Sequence, residues 1–327
     1  MGRICLTYRL EPERDRWVPG DRWLRPAVRR IVRGARRPGG LDKVFTNLRL
    51  GLDRLGVTYE VNLPFARLRP DDLVGVLGIG RNCLRGYSRR EPLVAGIGLM
   101  THPSEWPTLF DDYPIACYLQ HSAWTEALYR RHFGDRCGIW PVGIDTAAWS
   151  PMRTPGEKTL DFLIYDKIHW GRESLVKGLL NPIGETLKQL GHSSAILRYG
   201  SYQPAEYREI LGRCRAMIFL SPHESQGIAC EEAMAAGVPI LAWDPGLCQD
   251  PERFRWGDPV IPTTSVPYFD ERCGCRFLDH AEFERQLPLF MERLRSGAFS
   301  PREYVLENLT VEKCSKRFVD ILREKLS

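Results

Sequence analysis

Residues 221–244 read S-P-H-E-S-Q-G-I-A-C-E-E-A-M-A-A-G-V-P-I-L-A-W-D. An apolar run at 216–220, A-M-I-F-L, stops at Ser221-Pro222-His223, and a second apolar run at 238–243 begins directly after Gly237. Between them lie Glu224, a turn of small residues containing Gly227, and a short alanine-rich helical pattern. Strand, loop, helix and strand in this order form the repeating unit of a parallel sheet. The loop before the helix offers backbone N–H groups that no helical carbonyl satisfies, and such a place suits a phosphate. Glu224 precedes the helix and Glu232 lies within it, eight positions on, so the two carboxylates are on the order of 10 Å apart at about 1.5 Å of rise per residue. That distance straddles a diphosphate, with a sugar on one side and a ribose on the other. The structural alternative is a helix-start charge at Glu224 and a solvated face at Glu232.

Glu224, seven residues, Glu232 and then A-M-A-A-G-V-P-I resemble the E-x7-E signature of retaining glycosyltransferases of the family 4 type. The resemblance implies an α/β protein with two Rossmann-like domains facing a cleft, the GT-B type. It implies that Glu224 faces the donor sugar and Glu232 the nucleotide ribose, with the turn at Ser225, Gln226 and Gly227 on the donor diphosphate. Glu231 is the rival by one position, and a one-residue step turns a side chain by about 100° around a helix.

Outward from this stretch, the chain reads as alternating strands and helices. Residues 3–9 form a first strand, and Gly39-Gly40 open a helix marked by Leu41, Val44, Phe45, Leu48, Leu52 and Leu55. A glycine pair at a helix start lets backbone approach a phosphate, and in the resembled family a glycine-rich loop at this point serves the donor. Further strands are expected at 57–63, 73–79, 93–100 and 115–120. His102 stands just beyond the third of these, where open α/β sheets place ligands, and the resemblance makes it the candidate contact to the donor sugar. His121 is its rival, placed in the sheet core. The segment 143–151, G-I-D-T-A-A-W-S-P, resembles the family's hinge, and a new sheet starts at 159–165. There the family has Gly-Arg followed by a Lys for the diphosphate, whereas this chain has Asp166-Lys167 and then Arg172. The resemblance gives Lys167 and Arg172 that role with identities exchanged, and Asp166 in place of Gly is a departure. A helix is expected at 175–190, with Pro182 opening a new segment. A strand at 195–199 and a helix at 206–213 follow, then an irregular stretch at 260–270 and amphipathic helices at 282–294 and 301–326.

The resemblance implies an acceptor-side domain at 1–150, a nucleotide-sugar donor domain at 151–300 and a final helix at 301–327 that crosses back to the first domain through Phe318, Ile321 and Leu322. A length of 327 residues fits two domains of ordinary size. With 43% hydrophobic and 27% charged residues the composition is that of a globular protein. The net charge of +5 is local: residues 1–50 carry 13 Lys and Arg against 5 Asp and Glu, a balance of +8, so the other 277 residues sum to −3. Between Arg22 and Arg37 no acidic residue interrupts Arg25, Arg29, Arg30, Arg33 and Arg36, while Leu24, Val28, Ile31 and Ala35 keep helical spacing. Residues 22–37 therefore read either as a surface for phosphates, of an anionic membrane or an anionic acceptor, or as a helix that packs on its own domain with its arginines in water. Ten cysteines without a signal-like N-terminus suggest a reducing, cytoplasmic setting, and the phosphate-binding reading of those arginines adds a place at the membrane periphery. Cys273-Gly274-Cys275 lacks a second pair at zinc spacing, so no metal site is expected.

The sequence-level expectation is a metal-independent retaining hexosyltransferase that takes a nucleotide diphosphate sugar as donor and no other cofactor. Its acceptor is a glycan, a lipid-linked molecule or a small molecule, in keeping with glycan biosynthesis. The alternative is a catalytically inactive protein of the same architecture that holds an anionic surface or polyanion through its arginines. Nucleic-acid binding is a weaker third reading, since no recognition motif is present.

Overall fold

In the computed structural model the described residues are 2–10, 39–152 and 157–326; the arginine-rich segment 22–37 lies outside them. Two parallel sheets account for the strands. The first joins β1 (Ile4–Arg9), β2 (Tyr59–Val61), β3 (Leu73–Gly78), β4 (Leu93–Gly96), β5 (Ile115–Gln120) and β6 (Cys137–Ile139) in the order β2-β1-β3-β4-β5-β6. The second joins β7 (Leu160–Asp166), β8 (Ser194–Arg198), β9 (Cys214–Leu220), β10 (Ile240–Trp243) and β11 (Gly274–Phe277) in the order β11-β10-β9-β7-β8. Every neighbouring pair is parallel. Parallel strands buried on both faces need nearly unbroken apolar runs, and the fully buried L-V-G-V-L-G of β3 supplies one.

The strand orders fix where a ligand is received. In the first sheet the chain leaves β1 to one side for β2 and to the other for β3; in the second it leaves β7 for β8 and then for β9. Adjacent loops depart in opposite directions at such a switch and open a crevice at the carboxyl ends of the strands. Asp166 and Leu220 end the two strands flanking the second switch, and Lys167 N–H donates to the Leu220 carbonyl at 2.9 Å.

Local departures from the sequence reading have physical causes. The 175–190 region is one rod in which a π-turn, Val176–Leu180, precedes the α-helix Asn181–Gln189. Pro182 is the second residue of the α-helical segment, and the π-turn directly before it shifts the hydrogen-bond register at the point where Pro182 has no N–H to donate. Strand β11 carries too short an apolar signal to be read, and Gly274 is essential to it. Its φ is 149°, and a Cβ there would lie 1.8 Å from the Ile240 carbonyl oxygen. The 301–326 region splits into Pro301–Asn308 and Val311–Leu326. At the break Ile144 of the hinge donates to the Leu309 carbonyl at 2.7 Å and accepts from Val311 N–H at 3.2 Å.

The helix Val311–Leu326 follows the second sheet in sequence but packs on the first. Phe318, Val319, Ile321 and Leu322 are buried with Leu6, Val44, Leu48, Leu52, Leu77 and Trp140. The Trp140 indole donates to the Cys314 carbonyl at 2.9 Å. No helix among the described residues is long and apolar enough to cross a membrane.

Gly51 marks the closest approach of that helix to Gly40–Arg54. A Cβ on it would stand 2.2 Å from both the Ser315 hydroxyl and the Val311 carbonyl oxygen. Gly51→Ala is therefore expected to lower the unfolding free energy by about 1–3 kcal/mol through overpacking. Urea denaturation checks this, and an unchanged midpoint would contradict the packing.

Candidate active site

β9 ends at Leu220, Ser221 and Pro222 follow outside the ladder, and the chain turns through Gly227 into the helix Ile228–Ala235. Gly227 caps that helix with φ 92°, a left-handed backbone that favours glycine. Glu224 is fastened within the loop by its own backbone. Its N–H donates to the Thr264 carbonyl at 3.0 Å, and its carbonyl accepts from the Trp124 indole of the first domain at 2.8 Å. Its carboxylate accepts from Lys167 at 2.6 and 2.8 Å and from the Ser221 hydroxyl at 2.8 Å. Lys167 thus stands at the end of β7 and Glu224 just beyond β9, one on each side of the switch point. The Lys167 ammonium also lies 4.8 Å from the Tyr199 ring centre.

The second carboxylate is met from the other domain. Lys43, in the first turn of Gly40–Arg54, donates to Glu232 Oε1 at 2.6 Å. Glu232 is 3% exposed, and burial raises its pKa while Lys43 works in the opposite direction. Its Oε2 is buried without a partner. Glu231, one position earlier, faces the interior instead. It accepts from the Gln226 amide at 2.8 Å, and burial holds its carboxyl well above the usual carboxylate range. The one-residue step therefore separates a core acid from one at the interdomain boundary. Gly39 and Gly40 are exposed at the start of the helix that carries Lys43, with the Gly39 N–H held by Asp42 at 2.8 Å.

Other residues singled out in the sequence are placed differently. Gln226 spends its side chain on the backbone just beyond β6, accepting from Val142 N–H at 2.7 Å and donating to the Val142 carbonyl at 2.6 Å. Only its backbone remains for a diphosphate, and the neighbouring Ser225 is exposed. Arg172 is also engaged. Asp166, the departure from the family pattern, takes its guanidinium in two hydrogen bonds of 2.9 and 2.6 Å, and a third goes to the Ile168 carbonyl. His102 has no exposed surface; its ring stacks on Trp256 at 4.9 Å and its Nδ1 accepts from Ser104 N–H at 3.2 Å. That places it in a contact between the domains, where Asp258 pairs with Arg131 at 3.3 Å, with no bond to Glu224 or Glu232. β4 stops at Gly96, so His102 lies in the loop beyond it, at the start of the turn Pro103–Glu105, where Trp256, just past the helix Glu252–Arg255, covers its ring and donates to Glu105 at 3.2 Å.

Two residues that the sequence reading passed over, Lys43 and His223, join the site. Lys43 gave no signal because its partner is 189 positions away. His223 stacks on Trp170 at 5.0 Å and meets the edge of Trp124 at 5.9 Å. His223 Nδ1 is buried without a partner, and burial lowers its pKa. Adjacency to Glu224 was its only sequence clue. Among the described residues no cluster of three or more His, Cys, Asp or Glu is arranged to hold a metal ion.

No family model and no curated protein matches the sequence. The fold, by contrast, is shared with solved structures. A glycosyltransferase from Rickettsia africae ESF-5 is similar over 100% of this chain and 99% of its own, with a TM-score of 0.57 at 11% identity. The sucrose-phosphate synthase of Thermosynechococcus elongatus is similar over 98% of both chains, with a TM-score of 0.53 at 12% identity. The pneumococcal O-GlcNAc transferase GtfA, in complex with UDP and GlcNAc, aligns with 78% of this chain and 57% of its own, with a TM-score of 0.50 at 11% identity. The architecture is the GT-B arrangement of two Rossmann-like domains facing one another.

His121 provides a test of how tightly the boundary is closed. It is fully buried in the first domain; its carbonyl accepts from Tyr268 of the second, and burial brings its pKa down to about 4. The folded protein thus keeps His121 neutral, while the unfolded chain takes up a proton near pH 6.5. Its contribution is whole above that pH and is lost as pH falls toward 4. Between pH 7 and 5 the unfolding free energy should drop by about 2 kcal/mol on its account. The stability gap between the wild type and His121→Asn should narrow by that amount over the same range in urea titrations. A gap independent of pH would contradict the burial.

Proposed function

We propose that this chain transfers a sugar from a nucleotide diphosphate sugar to an acceptor, with retention at the anomeric carbon. The observation that carries the reading is the pair of lysine–glutamate contacts at the carboxyl ends of the two sheets. Glu224, with Lys167, precedes the helix Ile228–Ala235, and Glu232, with Lys43 of the first domain, lies in its second turn. The GT-B fold and the E-x7-E pattern support the same reading. A complex with UDP and GlcNAc in a protein of this fold supports the donor class.

The chemistry follows from where charge builds. As the bond from the anomeric carbon to the phosphate oxygen breaks, negative charge gathers on the leaving diphosphate and positive charge on the sugar ring. Lys167 and the N–H groups beyond Gly227 are placed to receive the former. An ammonium has three N–H groups, so Lys167 can hold Glu224 and a phosphate oxygen together. Glu224 orients the sugar and offsets its positive charge; Glu232 accepts from the ribose hydroxyls. Among the described residues no second carboxylate is hydrogen-bonded alongside Glu224 for a double displacement, so the acceptor hydroxyl attacks on the face that the phosphate leaves. Its proton passes to the departing phosphate oxygen. No step in this scheme calls for a metal. Transfer takes place in the cytoplasm, and the arginines at 22–37 bring the chain to an anionic surface where the acceptor resides.

One observation favours a second reading, a catalytically silent protein of the same fold. Asp166 claims the guanidinium of Arg172, so one of the two cations assigned to the diphosphate is already neutralised.

Glu224→Gln is expected to retain fold and melting temperature while reducing transfer about 10²–10³-fold, the range for loss of a group aimed at transition-state charge. A panel of sugar nucleotides with chromatographic detection of free nucleotide diphosphate checks this. Undiminished turnover in the variant would refute the role of Glu224. Nucleotide binding by the wild type without turnover on any sugar would favour the silent protein.

A further inference from the structure

Glu232 shows how the first domain takes part in donor recognition. It is almost wholly removed from water, yet only one of its carboxylate oxygens has a partner. That partner, Lys43, belongs to the other domain. A buried carboxylate oxygen without a donor is costly, and it is ready for an incoming hydroxyl. Lys43 is complementary. A third of its side chain is exposed, and Glu232 is the only carboxylate among the described residues within ion-pair reach of it. One of its three N–H groups is spent there, and its ammonium lies 5.9 Å from the Trp149 ring centre. Lys43 stands in the first turn of a fifteen-residue helix opened by two exposed glycines, so the helix dipole adds to its positive field. Glu232 lies five positions past Gly227, about 7.5 Å along its helix at 1.5 Å per residue. A ligand that satisfies both halves of this pair must bring hydroxyl donors and, a few ångströms away, an anionic oxygen. A ribose 5′-phosphate has that form.

We propose that Lys43 is a donor-binding residue contributed by the first domain, which holds the phosphate nearest the ribose while keeping its contact with Glu232. This rests on the sugar-transfer reading and deepens it: the nucleotide is gripped by both domains, and its phosphate is read from the first-domain side. Lys167 then serves the phosphate next to the sugar. The two lysines divide the diphosphate between them, one from each domain.

The test compares UDP, GDP and ADP with the corresponding nucleosides by calorimetric displacement on the full chain, in the wild type and in Lys43→Met and Lys43→Arg. Removing Lys43 also alters Glu232, but that effect is common to nucleoside and nucleotide and cancels in the ratio of their dissociation constants. In Lys43→Met this ratio should fall about ten- to a hundredfold, the scale of one charge-assisted hydrogen bond, and Lys43→Arg should restore most of it. If the Met variant does not fold, Lys43→Gln takes its place. A ratio unchanged in the folded neutral variant overturns the role of Lys43 and leaves the sugar-transfer reading standing. A wild type that binds none of the three diphosphates overturns both.

Discussion

A carboxylate taken almost wholly out of water needs a cation beside it, and Glu232 finds that cation only in the other domain. Its contact with Lys43 spans 189 positions of sequence and joins the helix after β9 to the helix after β1. Breaking such a pair leaves an uncompensated buried charge, far more costly than losing an exposed ion pair. The position of Lys43 is in turn fixed from behind. The helix that carries it packs at Gly51 against Val311–Leu326, and that helix is tied to the hinge through Ile144. Hinge, final helix and Lys43 thus form one mechanical chain ending on the second carboxylate.

The second pair is local and simpler. Lys167 and Glu224 extend from the two strands where the second sheet reverses its winding, so the fold delivers them to one another without long connections. Each of the two lysines is paired with a glutamate as it stands. An entering diphosphate shares the lysine N–H groups rather than displacing the glutamates. Asp166 alters this balance on one side by occupying Arg172, and it leaves more of the phosphate charge to the lysines and to the helix N-terminus.

What could be read from the sequence divides along physical lines. Strands β3, β5, β7 and β9 are built on apolar runs (L-V-G-V-L, I-A-C-Y-L, F-L-I-Y and A-M-I-F-L), and the parallel α/β class follows from their alternation with helices. The acidic pair was legible because its helix is short, capped by Gly227 and bracketed by two such strands. The contrast between Glu231 and Glu232 was legible only as a choice of register, and burial with Gln226 gives the former a core role. The engagement of Gln226 by Val142, of Arg172 by Asp166 and of His102 by Trp256 was not legible. Each depends on which side chain the folded chain brings alongside, and residue type alone does not say whether a donor is still free. Lys43 and β11 lay beyond reach for related reasons: one takes its meaning from a remote partner, and the other is four residues long with a glycine where two backbones nearly touch.

The most direct measurement is a crystal structure of the chain with a nucleotide diphosphate sugar or its diphosphate product. The account predicts the diphosphate between Lys167 and the first N–H groups of Ile228–Ala235, the ribose hydroxyls on Glu232 and the sugar beside Glu224. A nucleotide seated away from both glutamates, for instance on the open surface around Arg172 and Lys177, would contradict it.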